Sequence, residues 1–385
     1  MSAGTRVQPL IIGAGIAGLT LGIALRQRGI EAEICEAAPE LHPLGAGIWM
    51  APNAMQIFGR LGFAQPIIQA GAEVERVALY DSRLREISSS SLARVREKFG
   101  FTIVAIQRAE LHRILLDGFG SRSLHLGKRL VSIENHLAAP TAVFDDVTSV
   151  SAPYLIGADG IHSVARKLIR PAALPRRTGQ LCWRGLTDFD LLREFRRCTV
   201  EIWSARSRMG IADVGHGRAY WFLVSSGIVA GRPRPSDSIA ELLEIVKDYD
   251  GPSRDLIRAT PVSAVSEIEL TDLAPRLPWS AGNVCLIGDA AHPTTPNMGQ
   301  GGGQAVEDAW TLARCLAEYP EPAQAFHVFE MARFKKVKTV VDSSRRLGAL
   351  VHSGWPRVRN FLFRLAPEEL TMRAMERLYR VDSLV

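Results

Sequence analysis

Gly13-Ala14-Gly15-Ile16-Ala17-Gly18 constrains this chain more than any other stretch, because of what stands on either side of it. Val7 to Ile12 is a short apolar run that ends in the glycines, and Leu19 to Arg28 continues with helical spacing as far as Gly29. Glu31 to Cys35 then alternates like a second parallel strand and closes a strand-helix-strand unit at Glu36. In such a unit Gly13 allows the tight turn, Gly15 lets the backbone approach a pyrophosphate, and Gly18 lets helix and strand pack closely. Phosphates would lie on the helix N-terminus, where free N–H groups and the helix dipole favour negative charge. Glu36, at the end of the second strand, is placed to accept hydrogen bonds from a ribose. A dinucleotide site is therefore expected; the plainer alternative is a tight structural turn.

Further along, the pattern is helical from Pro52 to Leu61, alternating and serine-rich from Glu73 to Ser91, and helical again from Arg108 to Leu116. Leu155-Ile156-Gly157 reads as a buried strand running into a glycine turn. Between Gln180 and Val229 come aromatic-rich, strand-like runs at Cys182-Trp183, Thr199 to Trp203 and Tyr220 to Val224, consistent with an inserted antiparallel sheet. Val284 to Ile287 is another short buried strand, Gln304 to Leu316 a helix, and everything beyond looks helical. No internal repeat or low-complexity segment is evident.

At 385 residues, 47% hydrophobic and 22% charged, the chain can bury one large α/β core and a smaller second unit. Its five cysteines, Cys35, Cys182, Cys198, Cys285 and Cys315, are scattered and odd in number, which suggests neither a disulfide framework nor a zinc or other metal site. A reducing cytoplasm fits that usage. The apolar run from Leu10 to Leu25 could pass for a secretion signal, but its glycines fall at phosphate-loop spacing and no small-residue cleavage site follows. No membrane-spanning helix is expected. The net charge of +6 favours anionic small molecules, and no nucleic-acid partner is expected. The tail from Lys335 to Arg380 is especially basic and interleaved with Phe361, Leu362, Phe363, Leu365 and Leu378. It reads as an amphipathic helix packed on the body with its arginines in water; the alternative is a helix for a membrane surface or a partner.

Two later motifs follow buried strands. Gly157-Ala158-Asp159-Gly160 precedes Ile161-His162-Ser163-Val164-Ala165-Arg166, and residues 288–304 read Gly-Asp-Ala-Ala-His-Pro-Thr-Thr-Pro-Asn-Met-Gly-Gln-Gly-Gly-Gly-Gln. One acid, two prolines and several glycines so close together suggest a ligand. No second strand-linked Gly-x-Gly-x-x-Gly is visible: Gly45-Ala46-Gly47, Gly118-Phe119-Gly120 and Gly215-His216-Gly217 lack the third glycine. A separate nicotinamide domain is thus not expected, and no redox-active cysteine pair is present, which argues against disulfide reductases.

The set resembles the single-component (group A) flavoprotein aromatic hydroxylases, the family of para-hydroxybenzoate hydroxylase, with salicylate and urate hydroxylases and zeaxanthin epoxidase as relatives. The likeness runs from the glycine loop through Arg108, Asp159 and Asp289 to about Trp310, and weakens in the inserted sheet and tail. It implies an α/β fold: a discontinuous, Rossmann-like FAD-binding domain (1–72, 101–175 and 265–330), a mainly antiparallel substrate-binding sheet (73–100 and 176–264) and a C-terminal helical segment (331–385). By that resemblance Gly13, Gly15, Ala17, Gly18, Glu36, Gly47, Arg108, Asp159, Gly160, Gly288 and Asp289 serve FAD, with Asp289 on the ribityl chain and Arg108 beside the phosphates. Pro296, Gly299, Gln300, Gly301 and Gly302 would face the isoalloxazine ring, Pro296 walling its oxygen-reacting side. Asp159-Gly160 would serve the pyrophosphate and also NADH or NADPH. His292, within the same loop, is read as structural.

The chemistry implied is that of an FAD-dependent monooxygenase. NAD(P)H reduces the flavin, O₂ adds at C4a, and the hydroperoxide passes its distal oxygen to an aromatic, heteroaromatic or polyene small molecule by hydroxylation or epoxidation. Water must be excluded for that to succeed. Substrate contacts are expected from Arg184, Arg208 and Tyr220 on the sheet; the plain alternatives are core packing and salt bridges. Arg208 and Tyr220 resemble substrate contacts of the urate-hydroxylase branch, which carries an acid where this chain has Asn297. Pro-Asn-Met-Gly-Gln-Gly-Gly is closer to the zeaxanthin-epoxidase branch. The competing functions are a reductase of the same superfamily, a halogenase, whose Trp-x-Trp-x-Ile-Pro segment does not occur, and a flavin-binding sensor or sequestering protein. The chain is expected as a monomer or homodimer.

Overall fold

The computed structural model describes residues 8–41, 46–227, 238–352, 355–365 and 367–381. Val7 and Val229, the expected ends of the first strand and of the aromatic strand region, and Gly45 of the Gly45-Ala46-Gly47 run lie outside them.

Leu10–Ile12, Leu155–Gly157 and Val284–Leu286 are apolar and fully buried, the composition of a parallel sheet covered on both faces. They lie side by side in a six-stranded sheet ordered Ser280–Ala281, Val284–Leu286, Leu155–Gly157, Leu10–Ile12, Glu33–Cys35 and Leu124–His125. All pairs are parallel except the Ser280–Ala281 edge. Ile12 pairs with Gly157 and Gly157 with Leu286, so the chain leaves three adjacent strands at one level. Motifs separated by more than a hundred residues thereby meet at the C-terminal edge of the sheet, where ligands of open α/β folds bind. The helices Ile16–Arg26 and Gly301–Glu318 pack on each other over this sheet, within one continuous apolar core.

The second sheet has seven strands, ordered Ser266–Asp272, Arg176–Asp188, Arg218–Ser226, Ser207–Asp213, Cys198–Trp203, Arg76–Asp81 and Glu86–Ser91. Pairing is antiparallel except between Cys198–Trp203 and Arg76–Asp81. Ser266–Asp272 belongs here by its bonds to Arg176–Asp188, and so lies with the inserted sheet rather than with the flavin-binding part expected from residue 265.

Side chains alternate across a strand, and the two faces differ. Leu181, Trp183, Met209, Ile211, Trp221 and Leu223 point to a core shared with Leu242, Val246, Leu256 and Ile257. Those four lie on or beside the short helices Ser238–Ile245 and Ser253–Ala259, which no local pattern foretold. The opposite face carries Cys182, Arg184, Arg208, Tyr220 and Phe222 and turns toward the dinucleotide-type sheet. Gly47–Met50 joins Ile103–Gln107 and Ala72–Val74 in a three-stranded bridge between the two. A further meander, Leu130–Glu134, Thr141–Phe144 and Ser149–Ser151, was also not foreseen.

The C-terminal part is helical as expected: Pro322–Val351, Pro356–Leu365 and Glu368–Tyr379. The expected orientation of its apolar residues is only partly met. Phe363 packs edge-on against Trp203 and Leu378 lines the apolar core, but Phe361, Leu362 and Leu365 are exposed while Arg359 is the buried residue. The reason is local. Buried Arg359 donates to the carbonyls of Val351 and Ser204 and lies over the Trp203 ring, so the body holds this helix by a cation and leaves its apolar stripe outside. Among the described residues no helix is long and apolar enough to cross a membrane.

Candidate active site

The three loop glycines are needed for three different reasons. Gly13 has φ +105°, and a Cβ there would stand 2.5 Å from the Ala158 carbonyl oxygen. A Cβ on Gly18 would fall 1.9 Å from the Gly13 carbonyl oxygen, so helix and turn touch backbone to backbone. A Cβ on Gly15 would meet no atom of the described residues within 4 Å. That opening lies before the N-terminus of Ile16–Arg26, which has no side-chain cap and no acid in its first turn, leaving its N–H groups and dipole for an anion. The loop is braced from outside. Glu36 accepts from the Ala14 N–H at 2.8 Å and the Ala38 N–H at 2.9 Å, while His112 Nε2 meets the Ala14 carbonyl at 2.7 Å.

Asp159 and Asp289 follow the two neighbouring strands. One oxygen of Asp159 accepts from the N–H groups of Val164 and Ala165 at 2.7 and 3.2 Å; the other is buried and has no partner among the described residues. An unpartnered buried carboxylate oxygen at this edge suits a ligand donor. Arg166, almost fully buried, donates to the Ala290 carbonyl at 2.9 Å and to the Ile161 carbonyl, tying the Asp159 turn to the Asp289 turn. Asp289 itself is accessible to solvent but sits low in a cleft walled by protein. That crowding pushes its carboxyl upward, against the pull of His292, Arg108 and Arg166. Arg108, exposed at the start of Arg108–Phe119, makes no ion pair among the described residues and faces the same cleft. Gly288 packs near Ala17, so the first and third motifs touch.

Behind the cleft lies a buried polar network. Asp308 accepts from the Gly288 N–H at 2.9 Å, from His292 at 2.6 Å and from Arg333 at 2.8 Å. Burial works to raise the Asp308 carboxyl, but His292 and Arg333 outweigh it and hold it at about 2. His292 is thus held within this buried network by Asp308. Glu307 binds Asn53 at 2.6 Å, Arg333 at 2.6 Å and Lys336 at 2.8 Å. The Gln300 side chain turns inward and accepts from Asn53 and Gln304, so only the backbone of that residue is free to serve the cleft. Pro296–Met298 forms a single tight turn closed by the Gly299 N–H on the Pro296 carbonyl at 2.9 Å. Gly301, Gly302 and Gly303 then begin the eighteen-residue helix Gly301–Glu318, again with no acid in its first turn and no side-chain cap.

Across the cleft stands the polar face of the inserted sheet. Arg208 is 1% exposed; it donates to Glu201 at 3.0 Å and to the Asn297 side-chain oxygen, and its guanidinium lies 5.3 Å from the Phe222 ring centre. Asn297 in turn donates to Thr295 Oγ1 at 2.9 Å and to the Ser344 carbonyl at 2.8 Å. Arg208 therefore latches the sheet to the Pro296–Gly299 turn through a buried hydrogen bond to Asn297, while its ion pair with Glu201 stays within the sheet. Tyr220 packs into the room left by Gly47, where a Cβ would be 2.5 Å from its ring, and burial raises its hydroxyl. Trp49 meets Tyr220 and Phe222 edge-on at 6.4 and 5.8 Å. Half-buried Arg184, beside Tyr220 and Cys182, has no carboxylate partner among the described residues. The structure thus brings together the predicted residues of all three motifs and the sheet. Asn297, Arg166 and His112 were not singled out for a role; their partners Arg208, Ala290 and Ala14 lie 89, 124 and 98 positions away, beyond the reach of any local pattern.

A parallel sheet with a bare glycine turn, two acids and a helix whose first turn is glycine at one edge, roofed by an inserted sheet, defines a flavin-binding oxidoreductase. The family described as FAD binding domain matches residues 6–326, and the chain belongs to it, among the FAD-dependent monooxygenases. It is 37% identical over 351 residues, 90% of each chain, to the aurachin C monooxygenase/isomerase of Stigmatella aurantiaca. It is 32% identical to the 2-heptyl-3-hydroxy-4(1H)-quinolone synthase of Pseudomonas aeruginosa, covering 96% of this chain and 97% of that one. Klebsiella pneumoniae HpxO, solved in complex with FAD and uric acid, superposes with a TM-score of 0.89 at 29% identity, over 97% of this chain and 96% of that one.

Proposed function

We propose that this FAD-dependent monooxygenase uses NADH or NADPH and O₂ to place one oxygen on a fused nitrogen heteroaromatic substrate that carries an acidic or carbonyl oxygen. The placement of Arg184 and Tyr220 on the sheet face that Arg208 ties to the Pro296–Gly299 turn supports this best, because that face carries a phenol and a cation with no carboxylate partner among the described residues. Uric acid, bound in HpxO, and 2-heptyl-3-hydroxy-4(1H)-quinolone, for which the Pseudomonas relative is named, share a fused nitrogen ring with such an oxygen.

The residues present fit FAD. The open space at Gly15 and the uncapped helix behind it suit the pyrophosphate, with Ala17 and Gly18 in the same turn, and the remaining lone pairs of Glu36 suit a ribose. Asp289 and Arg108 would hold the ribityl and phosphate groups, Asp159 and Gly160 the pyrophosphate side, and the backbone of Gly299 to Gly302 the pyrimidine edge, where the helix dipole favours negative charge. Bound FAD supplies the two-electron chemistry and the activation of O₂. The protein's part is to exclude water, which the Arg208–Asn297 latch and the Trp49, Tyr220 and Phe222 rings do, and to orient the ring. Arg184 would hold the substrate oxygen as an anion, which raises electron density on the neighbouring carbon, and Tyr220 would hold the proton of its neutral form.

The test is a screen of phenols, anilines, quinolones and purines with FAD-loaded protein, following NAD(P)H and O₂ consumption and the product mass. A quinolone or purine that accelerates both and gains one oxygen is expected. Acceleration without mass gain for every compound would show uncoupling and refute the proposed fit.

A further inference from the structure

The helix Pro356–Leu365 presents to solvent the side that a packed helix would bury. Val358, Phe361, Leu362 and Leu365 recur at the i, i+3, i+4, i+7 spacing of a single face, and Trp355 stands three residues ahead of the first of them. These five side chains are between 52% and 74% exposed. The orientation is enforced from behind: Arg359 is anchored in the body by the Val351 and Ser204 carbonyls, and Phe363 by Trp203. The helix cannot roll its stripe inward without pulling a buried guanidinium off its acceptors.

Charge narrows what covers the stripe. The helix contains Arg357, Arg359 and Arg364 and no acid, and Arg357 and Arg364 are exposed beside the apolar face. Residues 331–385 hold twelve Lys and Arg against five Asp and Glu, a net +7, while the whole chain is +6; the remaining 330 residues are therefore at −1. A second copy meeting this face about a two-fold axis would set arginine against arginine. Tryptophan, phenylalanine and leucine on one side with arginines at the rim is instead the composition of a helix lying in the headgroup region of a bilayer. We infer that Trp355 and the Pro356–Leu365 helix dock the enzyme reversibly on an anionic lipid surface. The apolar stripe enters the acyl boundary, and Arg357 and Arg364 meet lipid phosphates. The inference does not depend on the substrate assignment.

Sedimentation of the FAD-loaded, full-length protein with vesicles of phosphatidylcholine alone or mixed equally with phosphatidylglycerol tests this. Binding at least ten-fold tighter to the anionic vesicles, weakened by salt, is expected. Phe361→Ser combined with Leu365→Ser should lose ten-fold or more on the anionic vesicles, with FAD content and melting temperature unchanged, since both residues are exposed. Arg357→Gln and Arg364→Gln should each weaken anionic binding about five-fold. Failure to sediment with either vesicle, or equal binding to both, would overturn the inference. So would a dimer in light scattering that the Phe361/Leu365 double variant dissolves, which would assign the stripe to a second copy.

Discussion

Replacing Gly15 and Gly18 separately by alanine distinguishes a glycine kept for a ligand from one kept for the fold. At Gly15 the backbone is extended, with φ −74° and ψ −174°, and the added methyl meets no atom of the described residues within 4 Å. Gly15→Ala should therefore leave the apoprotein unharmed, or stabilise it by about 0.5 kcal/mol by restricting the unfolded chain. The methyl would instead occupy the space through which a pyrophosphate reaches the N–H groups of the first turn. Each such charge-assisted hydrogen bond contributes about 1.5–3 kcal/mol, so losing one or two weakens FAD binding by roughly ten-fold to about twenty-thousand-fold. At Gly18 the new Cβ would stand 1.9 Å from a backbone oxygen, and the helix must shift away from the turn. Overpacking of that kind costs about 1–3 kcal/mol or more, and Gly18→Ala should show it in the apoprotein. Urea unfolding of both apo variants, with FAD titration followed by flavin fluorescence, gives the two numbers. A Gly15→Ala protein that unfolds early, or one that keeps wild-type FAD affinity, would refute the assignment of that opening to the pyrophosphate.

Other substitutions follow from the same geometry. Asp289→Ala should lose flavin on gel filtration while the fold survives, because Asp289 lines the cleft and holds no protein donor in place; full retention would remove it from the site. Arg184→Gln should raise KM for an acidic substrate about ten-fold or more with FAD content unchanged, and an unaltered KM would show that Arg184 does not touch substrate. Burial first, then Arg208 and Arg359, lower the His352 imidazole to about 4, so it is neutral in the fold and protonates at ordinary pH only when unfolded. Stability attributable to it is complete above about pH 6.5 and lost as pH falls toward 4; urea midpoints across that window should flatten in His352→Gln. The Asp308 contribution is present above about pH 4 and lost toward pH 2, so Asp308→Asn should remove that lower limb and not the upper one.

The division between sequence and tertiary structure follows the range of the forces involved. Local backbone chemistry is readable along the chain. The glycine spacing at residues 13–18, the apolar strands at 155–157 and 284–286 and the helix that begins in glycines after residue 300 each specify their own turn or element, because φ and hydrophobic period act within a few residues. The family resemblance followed from those pieces. What they could not convey is which pieces meet. Only the register Ile12–Gly157–Leu286 sets three remote motifs at one edge, and only strand pairing sends Ser266–Asp272 to the inserted sheet. Residues 238–259 form helices because a tryptophan-lined sheet face has to be covered, and that requirement is absent from their own sequence. The Arg208–Asn297 latch joins residues 89 positions apart. The outward stripe of Pro356–Leu365 shows the limit most directly: its periodicity is legible in the sequence, but the face that meets solvent is decided by where Arg359 finds its acceptors.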